Sequence, residues 1–161
     1  MKSEHIHIRI DGPETSEHFS PPQDPLGELT PYQMQFRRFC YEQNRTVRIG
    51  VGPESREISL FPDVCLLMEW LPDKLAALEG GHPTTLDFPE RQMAIQFVPR
   101  GTDVVATIEK FGSDPASTVC TVDLESASQA LDGFIKEVMG LAVEAGYLTT
   151  TQVRQLVGTV D

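Results

Sequence analysis

Nowhere in this 161-residue chain does an apolar run approach the roughly 18 residues that a membrane-spanning helix needs. The opening segment MKSEHIHIRI also lacks the uninterrupted apolar core of a signal peptide, so cytoplasmic residence is the expectation. Cysteine is scarce: Cys40, Cys65 and Cys120 are odd in number, lie far apart and fall inside apolar stretches. That spacing excludes a CxxC metal or redox pair and a disulfide framework, and it suits small buried hydrophobes in a reducing compartment. Positive charge is scarce too, with 13 Lys+Arg against 24 Asp+Glu and a formal charge of -11. Such a field repels phosphate backbones and anionic lipid surfaces, which disfavours direct nucleic-acid and membrane binding. It speeds association with a basic protein, although acidity also serves solubility alone.

Recognisable catalytic spacing is missing as well. No serine sits in a GxSxG turn, and none of the three cysteines lies in a recognisable reactive context. Gly50-Val-Gly52 begins like a dinucleotide fingerprint, but the third glycine is absent and Arg56-Glu57-Ile58 continues as strand. His5 and His7, two residues apart on a strand, point the same way and have the spacing for two metal ligands. Neither His18 nor His82 completes a metal-site pattern with them, so a polar strand face is the reading and no metal or cofactor is expected. Pairs such as Asp87 and Glu90, or Asp123 and Glu125, read as strand-end and helix-start carboxylates rather than an acid/base pair. The chain is therefore read as a non-enzyme.

What is present is an ordinary globular mixture, 40% hydrophobic and 7% aromatic, of a length that suits one domain over residues 1–161. Ile6, Ile8 and Ile10 alternate with His7 and Arg9 in a first strand. Residues 11–30, rich in Pro, Ser, Glu and Gly, read as an extended loop, which leaves open whether the first strand joins the main sheet. Thr30-Pro31 starts a helix to about Gln43, with a strand through Phe36 to Tyr41 as the alternative. Val47, Ile49 and Val51 and then Ile58 and Leu60 give two adjacent strands. Val64, Leu67, Met68, Leu71, Leu75 and Leu78 form a helical stripe that Pro72 must kink near Met68 or split in two. A short extended piece at Thr84 to Phe88 precedes strands around Met93 to Phe97, Val104 to Ile108 and Cys120 to Leu124, an antiparallel meander. The stripe from Ala127 to Ala142 predicts a long helix from Ser126 to Glu144, and a last one runs from about Thr150 to Val157 before Gly158. The fold class expected is α+β, a largely antiparallel sheet of four to six strands covered by two main helices in two layers.

One apolar feature lies off these stripes. Leu66 and Trp70 stand one turn apart on the flank of the Val64 to Leu78 stripe, with Glu69 and Asp73 beside them. Either the flank is buried between sheet and helix, or Leu66 and Trp70 anchor a partner within an acidic rim of Glu69 and Asp73.

The order of a strand pair, a helix reading FPDVCLLMEWLPDKLAAL, a three-stranded meander and a helix reading ALDGFIKEVMGLAVEAGYL resembles the immunity-type proteins that bacteria encode beside polymorphic toxins. The resemblance covers about Val47 to Leu148 and lies in layout and acidity, with no motif that assigns a functional residue. It implies an inhibitor that occludes a toxin domain, and the charge of -11 suits a basic one. An acidic protein-binding protein, monomeric or homodimeric, is thus the expectation. The rivals are a ligand-binding or regulatory domain and an enzyme with an unfamiliar carboxylate or histidine site.

Overall fold

A computed structural model describes residues 4–157. Within them the α+β layout holds, with seven strands and five helices, but the strands divide between two antiparallel sheets instead of forming one. Strands β1 (Ile6–Pro13), β2 (Arg45–Val51) and β3 (Glu54–Ser59) lie in the order β1-β2-β3. The first strand therefore docks. Its isoleucines Ile6, Ile8 and Ile10 stand opposite Val51, Ile49 and Val47, so the alternation puts one apolar face on the core and turns His7 and Arg9 away from it. Strands β4 (Thr84–Phe88), β5 (Met93–Arg100), β6 (Asp103–Lys110) and β7 (Ala116–Asp123) form a second sheet, in which β5, β6 and β7 are the expected three-stranded meander and β4, expected only as a short extended piece, adds a fourth strand. An isolated parallel bridge joins the sheets, where the Glu4 N–H donates to the Thr121 carbonyl at 3.3 Å.

β1 runs on to Pro13, and the proline-rich connection after it is fastened rather than loose. The Glu14 N–H donates to the Asn44 carbonyl at 2.9 Å, the Ser16 hydroxyl to the Tyr41 carbonyl at 2.5 Å, and the Tyr41 hydroxyl to the Phe19 carbonyl at 3.2 Å. These bonds lash a segment with few ladder donors onto helix α1 (Pro31–Glu42) and onto Asn44, just before β2. Of the two readings for that stretch the helix is correct, and its start explains why. Thr30 and Gln33 form a reciprocal capping box before the proline, and Phe36, Phe39 and Cys40 turn inward together.

Pro72 splits the next helical stripe instead of kinking it. A wide irregular turn at Leu60–Val64 leads into the short helix α2 (Cys65–Leu67), the chain turns through Met68 to Trp70, and α3 (Leu71–Glu79) begins with Pro72 in its first turn. The stripe nevertheless keeps its direction, since Val64, Leu67, Met68, Leu71, Leu75 and Leu78 are all buried. Helix α4 (Leu124–Glu144) starts two residues before Ser126, because Asp123 caps it by accepting from the Ser126 N–H at 3.2 Å. α4 packs on α3, β1, β6 and β7, and α5 (Thr150–Val157) closes the described chain. Gly158, expected to end α5, lies outside the described residues. Both sheets and the helices feed one continuous apolar core.

Candidate functional site: an exposed tryptophan at a helix break

The break between α2 and α3 decides where Trp70 points. Trp70 is the residue before the first turn of α3, with φ -117° and ψ -13°, and no side chain caps that turn. The backbone angle there lifts the indole off the stripe that buries its neighbours Leu67, Met68 and Leu71. Trp70 is 62% exposed and Leu66 is 39% exposed. Burying a large aromatic surface is a main contributor to core energetics, so an indole left this open on an otherwise buried segment calls for an account.

Trp70 forms a ridge between two hollows. On one side lies an open groove of about 560 Å³ whose apolar lining comes from Leu66, Leu67, Trp70, Ala77 and Pro89. Glu69, Asp73, Asp87 and Lys74 supply its polar rim. On the other side a smaller hollow of about 200 Å³ is lined by Phe36, Met68, Trp70, Met139 and Leu156, among others. Leu66, Glu69, Trp70 and Asp73, the residues singled out in the sequence, thus lie together along one groove.

The rim is less negative than the sequence suggests. Glu69 is ion-paired with Arg37 of α1, and both side chains are partly buried. The Lys74 ammonium donates to the Thr85 carbonyl on β4. Asp73 and Asp87 form no ion pair among the described residues, and they are the open negative charges of the groove. Asp73 also sits in the first turn of α3, where a carboxylate favours the helix dipole.

A second polar cluster went unread in the sequence. Asp63, buried at the start of the α2 segment, accepts from Arg91 Nε and from the Ser59 N–H, each at 2.9 Å. Arg91 Nη2 donates to Ser59 Oγ at 2.8 Å, and Ser59 Oγ and Thr46 Oγ1 both donate to Glu14 Oε2 at 2.9 Å. Asn44 extends the cluster by accepting from the Phe61 N–H at 2.9 Å. Asp63 Oδ1 is buried with no hydrogen-bond partner among the described residues, while these bonds join β3, the β4–β5 connection and the N-terminal loop. That is the pattern of a clamp between elements.

The remaining candidates scatter. The His5 and His7 rings lie 6.2 Å apart in an edge-on arrangement, and both side chains are exposed. Among the described residues no three His, Cys, Asp or Glu side chains converge on one point. The cysteines are free and buried. Burial, with a smaller contribution from neighbouring Cys65, pushes the Cys40 thiol well up, and burial with Glu4 nearby pushes Cys120 up to about 11. Both thiols are thereby held in the unreactive protonated form. No helix among the described residues is long and apolar enough to cross a membrane.

No family model matches the chain, and no curated protein or solved structure does so either.

Proposed function

We propose that this protein works by binding another protein across the Trp70 ridge, most concretely as an immunity-type inhibitor that covers a basic toxin domain. The observation that carries the reading is the 62% exposed indole at the α2–α3 break, seated between two apolar hollows. Tryptophan anchors of this kind dominate binding energies when a partner excludes water from them. Asp73 and Asp87 give the groove a negative rim, and the net charge of -11 steers basic partners toward the molecule from a distance. A small-ligand pocket is favoured less, because the 560 Å³ groove is open along its length and does not enclose a guest.

Growth rescue tests the proposal. Co-expression with the toxic product of a neighbouring gene is expected to restore growth, and Trp70→Ala is expected to abolish the rescue while the variant remains folded. Charge reversal at Asp73 is expected to weaken it. Glu69→Lys is expected to weaken it further, since it also places a second cation against Arg37. If no neighbouring gene product is toxic, or if Trp70→Ala rescues as well as the parent, the proposal is wrong.

A further inference from the structure

We infer that the Trp70 groove takes an arginine side chain of the partner, laid flat on the indole with the edge of its guanidinium between Asp73 and Asp87. The inference rests on the reading of this groove as a partner site, and it adds which side chain enters. Among the described residues no aromatic ring and no cation lies against the indole, so its face is vacant. Tryptophan offers a cation the best of the aromatic faces, because the ring quadrupole places negative charge there. A 62% exposed indole beside unpaired carboxylates is a seat of that kind.

Charge selects the occupant. Three carboxylates line the groove, those of Glu69, Asp73 and Asp87, against the single ammonium of Lys74. Glu69 is taken up by Arg37, and Lys74 is held at the Thr85 carbonyl. Asp73 and Asp87 are exposed and form no ion pair among the described residues. An anionic group entering here would meet like charge at close range, within a molecule of charge -11. An apolar side chain would fill the groove, but a partner closing over it would strip water from two carboxylates and give nothing in return.

The placement of the carboxylates favours arginine over lysine. Asp73 comes from the first turn of α3 and Asp87 from β4, so the two face the groove from different elements. A guanidinium stacked on a ring keeps its N–H groups at the edge, free to reach both carboxylates. An ammonium is a compact, strongly hydrated point charge that gives up more water to stack. Leu66, Ala77 and Pro89 supply apolar surface for the methylene stem.

Chemical-shift titration of the isotope-labelled protein is the test, read at the Trp70 indole N–H, the one indole of the chain, and at the backbone amides of Ala77 and Thr84. The probes, at matched ionic strength, are N-acetylarginine amide, its neutral isostere N-acetylcitrulline amide, N-acetyllysine amide and N-acetylleucine amide. Arginine amide is expected to bind with a Kd of about 1–10 mM, and the citrulline and leucine amides about tenfold more weakly or less. Lysine amide is expected to fall between them. The double variant Asp73→Asn with Asp87→Asn is expected to bring arginine down to the level of citrulline. Trp70→Leu, followed at the two backbone amides, is expected to lose most of the binding. All three positions are exposed, so these variants are expected to melt with the parent. Any other probe that binds as tightly as arginine amide overturns the inference, as does an arginine amide that shifts none of the three signals or a double variant that binds it like the parent. Growth rescue reads the partner site separately. Rescue that depends on Trp70 without a preference for arginine sinks this inference alone, whereas arginine binding with a rescue indifferent to Trp70 sinks the partner reading.

Discussion

Arg91→Met removes the guanidinium that faces the buried Asp63 while retaining most of the aliphatic stem. The Asp63 side chain is 1% exposed and Arg91 is 38% exposed, so the substitution strands a carboxylate whose remaining bond at Oδ2 is the Ser59 N–H. Breaking a buried pair in this way costs about 3–5 kcal/mol. Water already reaches the arginine, which places the expectation near the lower end, about 3 kcal/mol. In a chain of this length each kcal/mol moves the melting temperature by about 2–4 °C, so a fall of roughly 6–12 °C is expected by calorimetry. Neutralising the stranded group in the double variant Arg91→Met with Asp63→Asn is expected to recover a good part of it, because the penalty lies in the unpaired charge. A fall under about 2 °C, or a double variant no more stable than Arg91→Met, refutes the account of this cluster as a clamp.

Trp70→Ala is expected to leave the unfolding free energy within about 0.5 kcal/mol of the parent, since the indole is mostly in water already. Urea denaturation checks this, and a large loss would mean that the ring belongs to the core. Gly52→Ala is expected to cost about 1–2 kcal/mol in the same assay, because φ is +59° there and a Cβ would lie 2.8 Å from Glu4 Oε2 and 3.3 Å from Cys120 Cβ. Stability is expected to fall as pH rises between about 9 and 11. The unfolded Cys120 thiol ionises from its ordinary 9.0, while the folded one holds its proton to about 11, so the unfolded state binds fewer protons across that window. Melting curves at pH 8, 9.5 and 11 read this directly, and a rise in stability with pH would contradict the burial of that thiol.

Apolar periodicity carried most of the fold. Period-two runs at Ile6 to Ile10 and Val104 to Ile108 and the long stripe of α4 each landed on the face that the spacing required. The partition into two sheets was not legible, because alternation tells which face of a strand is buried and not which strand lies beside it. The helical segment between β3 and β4 sends the chain into a second sheet, and nothing in either strand marks that. Leu66, Glu69, Trp70 and Asp73 were findable because Leu66 and Trp70 are apolar residues off the stripe, next to a proline that had to interrupt the helix. The pairing of Glu69 with Arg37 was hidden by a separation of 32 residues. The role of Asp63 was hidden for a related reason. A carboxylate after Pro62 looks like a helix-start residue, yet it turns inward to an arginine 28 residues away.

The chain has one tryptophan, so the emission of Trp70 reports on the proposed binding surface and on nothing else in the molecule. In the free protein the indole is expected to emit as a water-exposed residue and to be quenched readily by iodide. On titration with the toxin domain, used as a tryptophan-free variant, the emission is expected to shift to the blue and the quenching to fall away as the partner closes over the ridge. A complex that forms with the emission and the quenching of Trp70 unchanged would place binding elsewhere and contradict the account.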